Sequence, residues 1–179
     1  MKAFNLPSNP KTLIFDIDST LYTNAAYAFE QVDCQVRQFA RDRGITADEA
    51  RHMVADYRRQ FAAANNGKKI SLGNTLLAFG IPIAQSVEWR KTLVAIGISD
   101  FFPEFVGLDT CLKSKPAVEP FMKACEITNT QPKNCIAIGD RYDMDIALPL
   151  ELGMGGILVT GVEEVYGLEK FFNDKSLYL

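Results

Sequence analysis

The 179-residue chain holds a single histidine, four cysteines and one tryptophan. The cysteines stand apart at Cys34, Cys111, Cys125 and Cys135, with no CxxC pair, and His52 is the only imidazole. A zinc-finger-like site needs cysteine or histidine at close paired spacing, so that class is excluded. Without a secretion signal a disulfide framework is not expected either, and the thiols read as small core residues. No stretch of about 18 apolar residues occurs, which excludes a membrane-spanning helix. Nor is there a surplus of positive charge: 19 Lys and Arg stand against 22 Asp and Glu, with pI near 5.2. The basic footprint of a nucleic-acid binder is missing. The opening MKAFNLPSNP lacks the apolar core of a signal peptide, so a cytoplasmic location is expected.

What is present is a hydrophobic content of 47%, enough for one globular unit with a smaller appended lobe. Residues 1–10 read as an arm ending in a Ser8-Asn9-Pro10 turn. Thr12–Phe15 reads as a short buried strand. A long helical block follows. Phe29, Val32, Val36, Phe39 and Ala40 recur at three- and four-residue steps up to Gly44. Thr46 and Glu49 form a capping box for a second helix with a stripe of Ala50, Met53, Val54, Tyr57 and Phe61, stopped at Asn65-Asn66-Gly67. Thr75–Phe79 and Ala84–Ile96 read as further helices. Beyond Gly97 an alternating pattern resumes: strands at Phe105–Leu108, Cys135–Ile138 and Gly156–Thr160, helices at Val118–Glu126, Met144–Leu152 and Tyr166–Asn173. Pro149 should end or kink the helix that contains it.

Three places carry residues suited to chemistry. Asp16 and Asp18 follow the first strand, and alternation sends residues i and i+2 to one side of an extended backbone. Two neighbouring carboxylates repel unless a cation or a shared proton relieves them, and Mg²⁺ is the simple solution. Thr20 lies two residues on. Lys115 sits in the turn before a helix. Gly139-Asp140 follows a buried strand, with Asp143 and Asp145 close behind. Strand ends are where open α/β sheets bind ligands. One chemistry uses them all: Asp16 attacks phosphorus, Asp18 protonates the leaving oxygen and later activates water, and Lys115 binds phosphoryl oxygens. Mg²⁺ on Asp16, Asp140 and Asp145, beside Asp18, offsets the anionic charge. Each piece alone has a plainer reading. Gly-Asp is ordinary turn chemistry, Lys-Pro is an ordinary helix start, and Asp143 suits an N-cap. Their joint order is what points to a site.

With DIDST at Asp16–Thr20, SKP around Lys115 and DRYDMD at Asp140–Asp145, the chain resembles the haloacid dehalogenase-like (HAD) hydrolase superfamily, phosphatase branch. That resemblance implies an α/β fold with a HAD-like Rossmannoid parallel sheet. It divides the chain into a core of residues 1–22 and 98–179 and an inserted α-helical cap of residues 23–97, a lid that sets substrate choice. It implies Asp16 as nucleophile forming an aspartyl-phosphate, Asp18 as acid/base and Lys115 as the third-motif lysine. Thr20 and Lys115 would contact phosphate. Asp16, Asp18, Asp140 and Asp145 would serve Mg²⁺. The substrate implied is a small phosphorylated metabolite such as a nucleotide or sugar phosphate.

Two departures stand out. Ser19 replaces a more usual glycine. The family's second strand, ending in a phosphate-binding Ser or Thr, is not found after the helical block, which leaves the sheet one strand short. Ser86, after IPIAQ, is the only stand-in and lacks a helix start behind it. The alternative is therefore an inactive or internally shortened relative with a binding or structural role.

Overall fold

The computed structural model describes residues 1–90 and 97–173. In chain order the strands are β1 (Lys2–Phe4), β2 (Thr12–Phe15), β3 (Cys135–Gly139) and β4 (Gly155–Leu158). The α-helices are α1 (Ala25–Arg43), α2 (Ala47–Ala64), α3 (Leu72–Ala78), α4 (Ile83–Glu88), α5 (Leu108–Cys111), α6 (Val118–Ile127), α7 (Ala147–Glu151), α8 (Val162–Val165) and α9 (Leu168–Asn173). The chain divides into two compact units. One comprises Met1–Ala28, Glu104–Val106 and the residues from Lys113 onward; the other comprises Phe29–Pro103 and Gly107–Leu112.

The first unit is α/β. Its sheet runs β1-β4-β3-β2, with β2, β3 and β4 parallel and β1 antiparallel at one edge. All five residues of β3 are buried, as expected for a strand covered on both faces. Successive side chains take opposite faces. Cys135 and Ala137 pack with Phe121, Cys125 and Met154. Ile136 and Ile138 pack with Ile157, Val159 and Leu168. All four cysteines are free thiols. Cys125 and Cys135 touch in the core at 3.6 Å. Burial, with Cys125 alongside, pushes the Cys135 thiol up to about 12, which makes it unreactive.

The N-terminal arm is a correction: Lys2–Phe4 forms an edge strand against Gly156–Leu158. Three residues show no alternation to read. The close approach depends on Gly155, where a Cβ would lie 2.9 Å from Pro7 Cδ and 3.1 Å from the Asn5 carbonyl. The expected strand at Phe105–Leu108 is a second correction. Phe105 is 49% exposed, Leu108 opens α5 instead, and the chain leaves the α/β unit at Gly107. A short apolar run cannot by itself tell strand from helix. Pro149 is accommodated rather than disruptive. A wide π turn over Tyr142–Ile146 comes first, so the proline falls in the first turn of α7, where no N–H is needed.

The second unit is helical, and among the described residues it has no strand. Its core gathers Val36, Phe39, Ala40, Ala50, Val54, Leu76 and Ile81. The capping box at Thr46 and Glu49 is formed. Phe29 and Val32, expected in the core, are 66% and 38% exposed. Met53 is 43% exposed. The core cluster meets α1 only from Val36 onward. Three arginines form ion pairs inside this unit: Arg37 with Glu30 and Asp33, Arg51 with Asp33 and Asp48, and Arg59 with Asp56. Hydrogen bonds from Arg51 hold the Asp33 carboxyl below the usual range. Ser86 is buried inside α4 and donates its Oγ hydrogen to the Ile83 carbonyl at 2.9 Å, so it ends no strand. Of the helix expected over Ala84–Ile96, residues 91–96 lie outside the described residues. Ser99–Phe101 forms a single 3₁₀ turn. No helix among the described residues is long and apolar enough to cross a membrane.

Candidate active site

β2 and β3 are parallel, with Phe15 opposite Ile138, so both strands end on the same edge of the sheet. The Asp16 amide still donates to the Ile138 carbonyl at 2.8 Å. This bond extends the ladder one residue and fixes Asp16 beside the end of β3. Asp140 is the first residue after β3. The turn over Tyr142–Ile146 then folds Asp145 back: its Oδ2 accepts from the Arg141 amide at 3.1 Å, and its own amide donates to the Arg141 carbonyl at 2.8 Å. Asp16, Asp140 and Asp145 each place a carboxylate oxygen within 4.8 Å of the others.

Lys115, in the turn leading to α6, closes the group. Its Nζ pairs with Asp16 Oδ1 and donates to Asp145 Oδ1 at 2.5 Å. Three carboxylates then face one ammonium. Burial raises the Asp16 pKa, and Asp145 and Asp18 add to the rise against the pull of Lys115. Burial and then Asp145 raise Asp140. Burial works against the charge on Lys115, but Asp16 and Asp145 outweigh it and hold its pKa up. Asp16 Oδ2 and Asp140 Oδ1 are buried without a hydrogen-bond partner. Buried oxygens left unpaired are costly. A cluster with surplus negative charge and two such oxygens suits a hard divalent cation with oxygen ligands.

The other expected residues are not members of this trio. Asp18 is not among the three clustered carboxylates; its Oδ1 accepts from the Tyr22 hydroxyl at 2.6 Å. Thr20 is fully buried and its Oγ1 has no hydrogen-bond partner. Asp143 is exposed while Asp145 is 2% exposed, so Asp145 is the one turned into the cluster. Tyr22 is buried, with its hydroxyl bonded to Asp18. The four-residue spacing across a DxxxY turn is the only hint the sequence carries.

Ser19 sits at φ 68°, the left-handed region that glycine occupies freely and other residues enter at a cost of about 1 kcal/mol. It is exposed. Ser19→Gly is expected to stabilise the protein by about 0.5 kcal/mol, since relief of the strain is partly offset by a freer unfolded chain. Matched thermal melts check this, and a lower melting temperature in the variant would refute it.

The site is thus a lysine-bridged acidic cluster at the ends of two parallel strands of an open α/β sheet. A family model described as HAD-hydrolase-like matches residues 113–175, which include Lys115, Asp140 and Asp145. The glyceraldehyde 3-phosphate phosphatase of Methanothermobacter thermautotrophicus is 32% identical over 84 residues. That match covers 47% of this chain and 35% of the relative, so the chain spans about a third of that protein's length. Among solved structures, a HAD phosphatase from Thermococcus onnurineus superposes with a TM-score of 0.56 at 19% identity, covering 90% of this chain and 97% of the other. A β-phosphoglucomutase from Clostridium difficile gives 0.51 at 16% identity, covering 88% and 87%. A 2-haloacid dehalogenase from Pseudomonas syringae pv. tomato gives 0.52 at 14%, covering 83% and 86%. These structures share the fold. The chain is similar to the HAD-hydrolase-like family over residues 113–175 and shares the fold of these structures.

Proposed function

We propose that the protein is a Mg²⁺-dependent phosphatase acting on a small phosphorylated metabolite through a phosphorylated Asp16. The observation that carries this reading is the convergence of Asp16, Asp140, Asp145 and Lys115 on one edge of the sheet. Asp16 attacks phosphorus, the phosphorus–ester oxygen bond breaks, and Asp18 gives its proton to the departing oxygen. Asp18 then takes a proton from water, which attacks phosphorus, releases inorganic phosphate and regenerates Asp16. Lys115 orients Asp16 and meets the phosphoryl oxygens as a point charge. Asp16, Asp140 and Asp145 would hold Mg²⁺, whose charge offsets the repulsion between carboxylate and phosphate. A relative named for glyceraldehyde 3-phosphate supports the substrate class.

The test is hydrolysis of p-nitrophenyl phosphate with Mg²⁺ and with EDTA, beside Asp16→Asn. Turnover that needs Mg²⁺ and disappears in the variant is the expected result. A folded wild-type protein with no turnover on this ester or on a panel of phosphorylated metabolites would refute it. A specific observation favours the other reading, a shortened relative with a binding role: among the described residues no strand lies between β2 and β3. Inactivity would select that reading.

A further inference from the structure

The loop between β2 and α1 folds onto itself. The Leu21 amide donates to the Ile17 carbonyl at 2.9 Å, and Asp18 and Tyr22 form an isolated parallel bridge. This geometry aims the Tyr22 hydroxyl at Asp18 Oδ1, 2.6 Å away. The ring is 9% exposed and lies edge-on to Tyr27, with centroids 5.0 Å apart at 84°. Tyr27 is itself fixed where α1 starts, its amide donating to Asn24 Oδ1 at 2.9 Å. The hydroxyl therefore rides on a ring that packing keeps from turning away.

We propose that Tyr22 is a positioning residue for the proton transfer made by Asp18. This rests on the phosphatase reading above. A phenol donating to Oδ1 makes that oxygen an acceptor and leaves Oδ2 as the oxygen that carries the exchangeable proton. It also restricts rotation of the carboxyl group. The proton on Oδ2 then moves to the ester oxygen as the phosphorus–oxygen bond breaks, and the phenol keeps its own proton throughout. Misplacing a reacting group by about 1 Å costs on the order of 100-fold in rate. Loss of one restraining hydrogen bond falls short of that.

The experiment compares two phosphate esters in the wild-type protein, Tyr22→Phe, Asp18→Asn and the double variant. p-Nitrophenolate is a weak base and leaves without a proton; a simple alkyl alkoxide needs one. Tyr22→Phe removes only the hydroxyl and keeps the contact with Tyr27. The expected result is a loss in kcat/KM, which reads the ester-cleaving step and not the hydrolysis common to both esters, about ten times larger on the alkyl phosphate than on p-nitrophenyl phosphate. In the Asp18→Asn background Tyr22→Phe should add no further bias against the alkyl ester. An equal loss on both esters marks a merely structural tyrosine and overturns the proposal while the phosphatase reading stands. An unchanged rate on both does the same. A wild-type protein inactive on both esters overturns the phosphatase reading and this proposal with it. Should Tyr22→Phe melt far below the wild type, both esters are compared at a temperature where the variant stays folded, and the same ratio decides between the outcomes.

Discussion

Lys115→Met is expected to destabilise the protein strongly in EDTA and much less in Mg²⁺. Lys115 bridges Asp16 and Asp145, and the three side chains are 25%, 12% and 2% exposed. Methionine keeps the length and apolar stem but removes the charge. Asp16 and Asp145 are then left without their shared cation, beside Asp140 within 4.8 Å. Removing one partner from a buried ion pair typically costs about 3–5 kcal/mol. Proton uptake by one carboxylate limits the loss, because neighbouring like charges favour the neutral acid. A change of about 3 kcal/mol moves the melting temperature by about 10 °C in a chain of this size. In the proposed reading a divalent cation would replace the missing charge, so the gap between variant and wild type should close as Mg²⁺ is added. Thermal melts in EDTA and across a Mg²⁺ series check this. Equal gaps in both would mean that lysine and cation do not share one electrostatic task. Turnover should stay low even where Mg²⁺ restores stability, since Lys115 also meets the phosphoryl oxygens in the proposed reaction.

Gly139→Ala tests the same cluster by volume instead of charge. A Cβ at Gly139 would lie 2.4 Å from Asp145 Cβ and 2.6 Å from both its Cγ and its Oδ2. No side chain tolerates such distances, and Asp145 has little room to yield. It is held by Lys115 and by the Arg141 amide. Either the end of β3 or Asp145 must move. Overpacking of this kind costs about 1–3 kcal/mol. The larger expected effect is on function: a shift near 1 Å in a positioned group costs about 100-fold in rate, and the three-carboxylate geometry loosens with it. Mg²⁺ affinity followed by thermal shift, together with turnover, measures both consequences. A variant that melts lower yet binds Mg²⁺ as before would show that β3 gave way and the cluster survived.

The residues of this cluster could be found in the sequence because strand and motif coincide. An apolar run such as CIAI reads as a buried strand whatever surrounds it, and polar residues directly after it must lie at its end. Asp16 and Asp140 are legible that way, and Lys115 by its place in the turn before a helix. The choice of Asp145 over Asp143 could not be, since it depends on a π turn that changes which residue faces inward. Asp18, two residues after Asp16, suggested one shared cation; that its Oδ1 also accepts from the Tyr22 hydroxyl is set by a local turn. Local turns decide such pairings, and alternation along a strand stops applying once the strand has ended. β1 escaped notice for want of length, and Phe105–Leu108 misled because apolar composition alone fixes no hydrogen-bond partner. The helical unit was the easier half: capping boxes and glycine stops are written within a few residues of the ends they make.

The order of the strands bears on how the molecule is made. β2 pairs Thr12 with Cys135, and β1 pairs Lys2 with Leu158. These two strands therefore leave the ribosome well over a hundred residues before the partners they pair with. Closing such long loops is slow. The helices of Phe29–Pro103 need no such partners and can pack while synthesis continues, at about 5–20 residues per second. For several seconds the apolar β2 segment, with Asp16 beside it, is ready but unpaired. Nascent chains halted before Cys135 would have a folded helical half and an open sheet edge, the state in which a chaperone would find them.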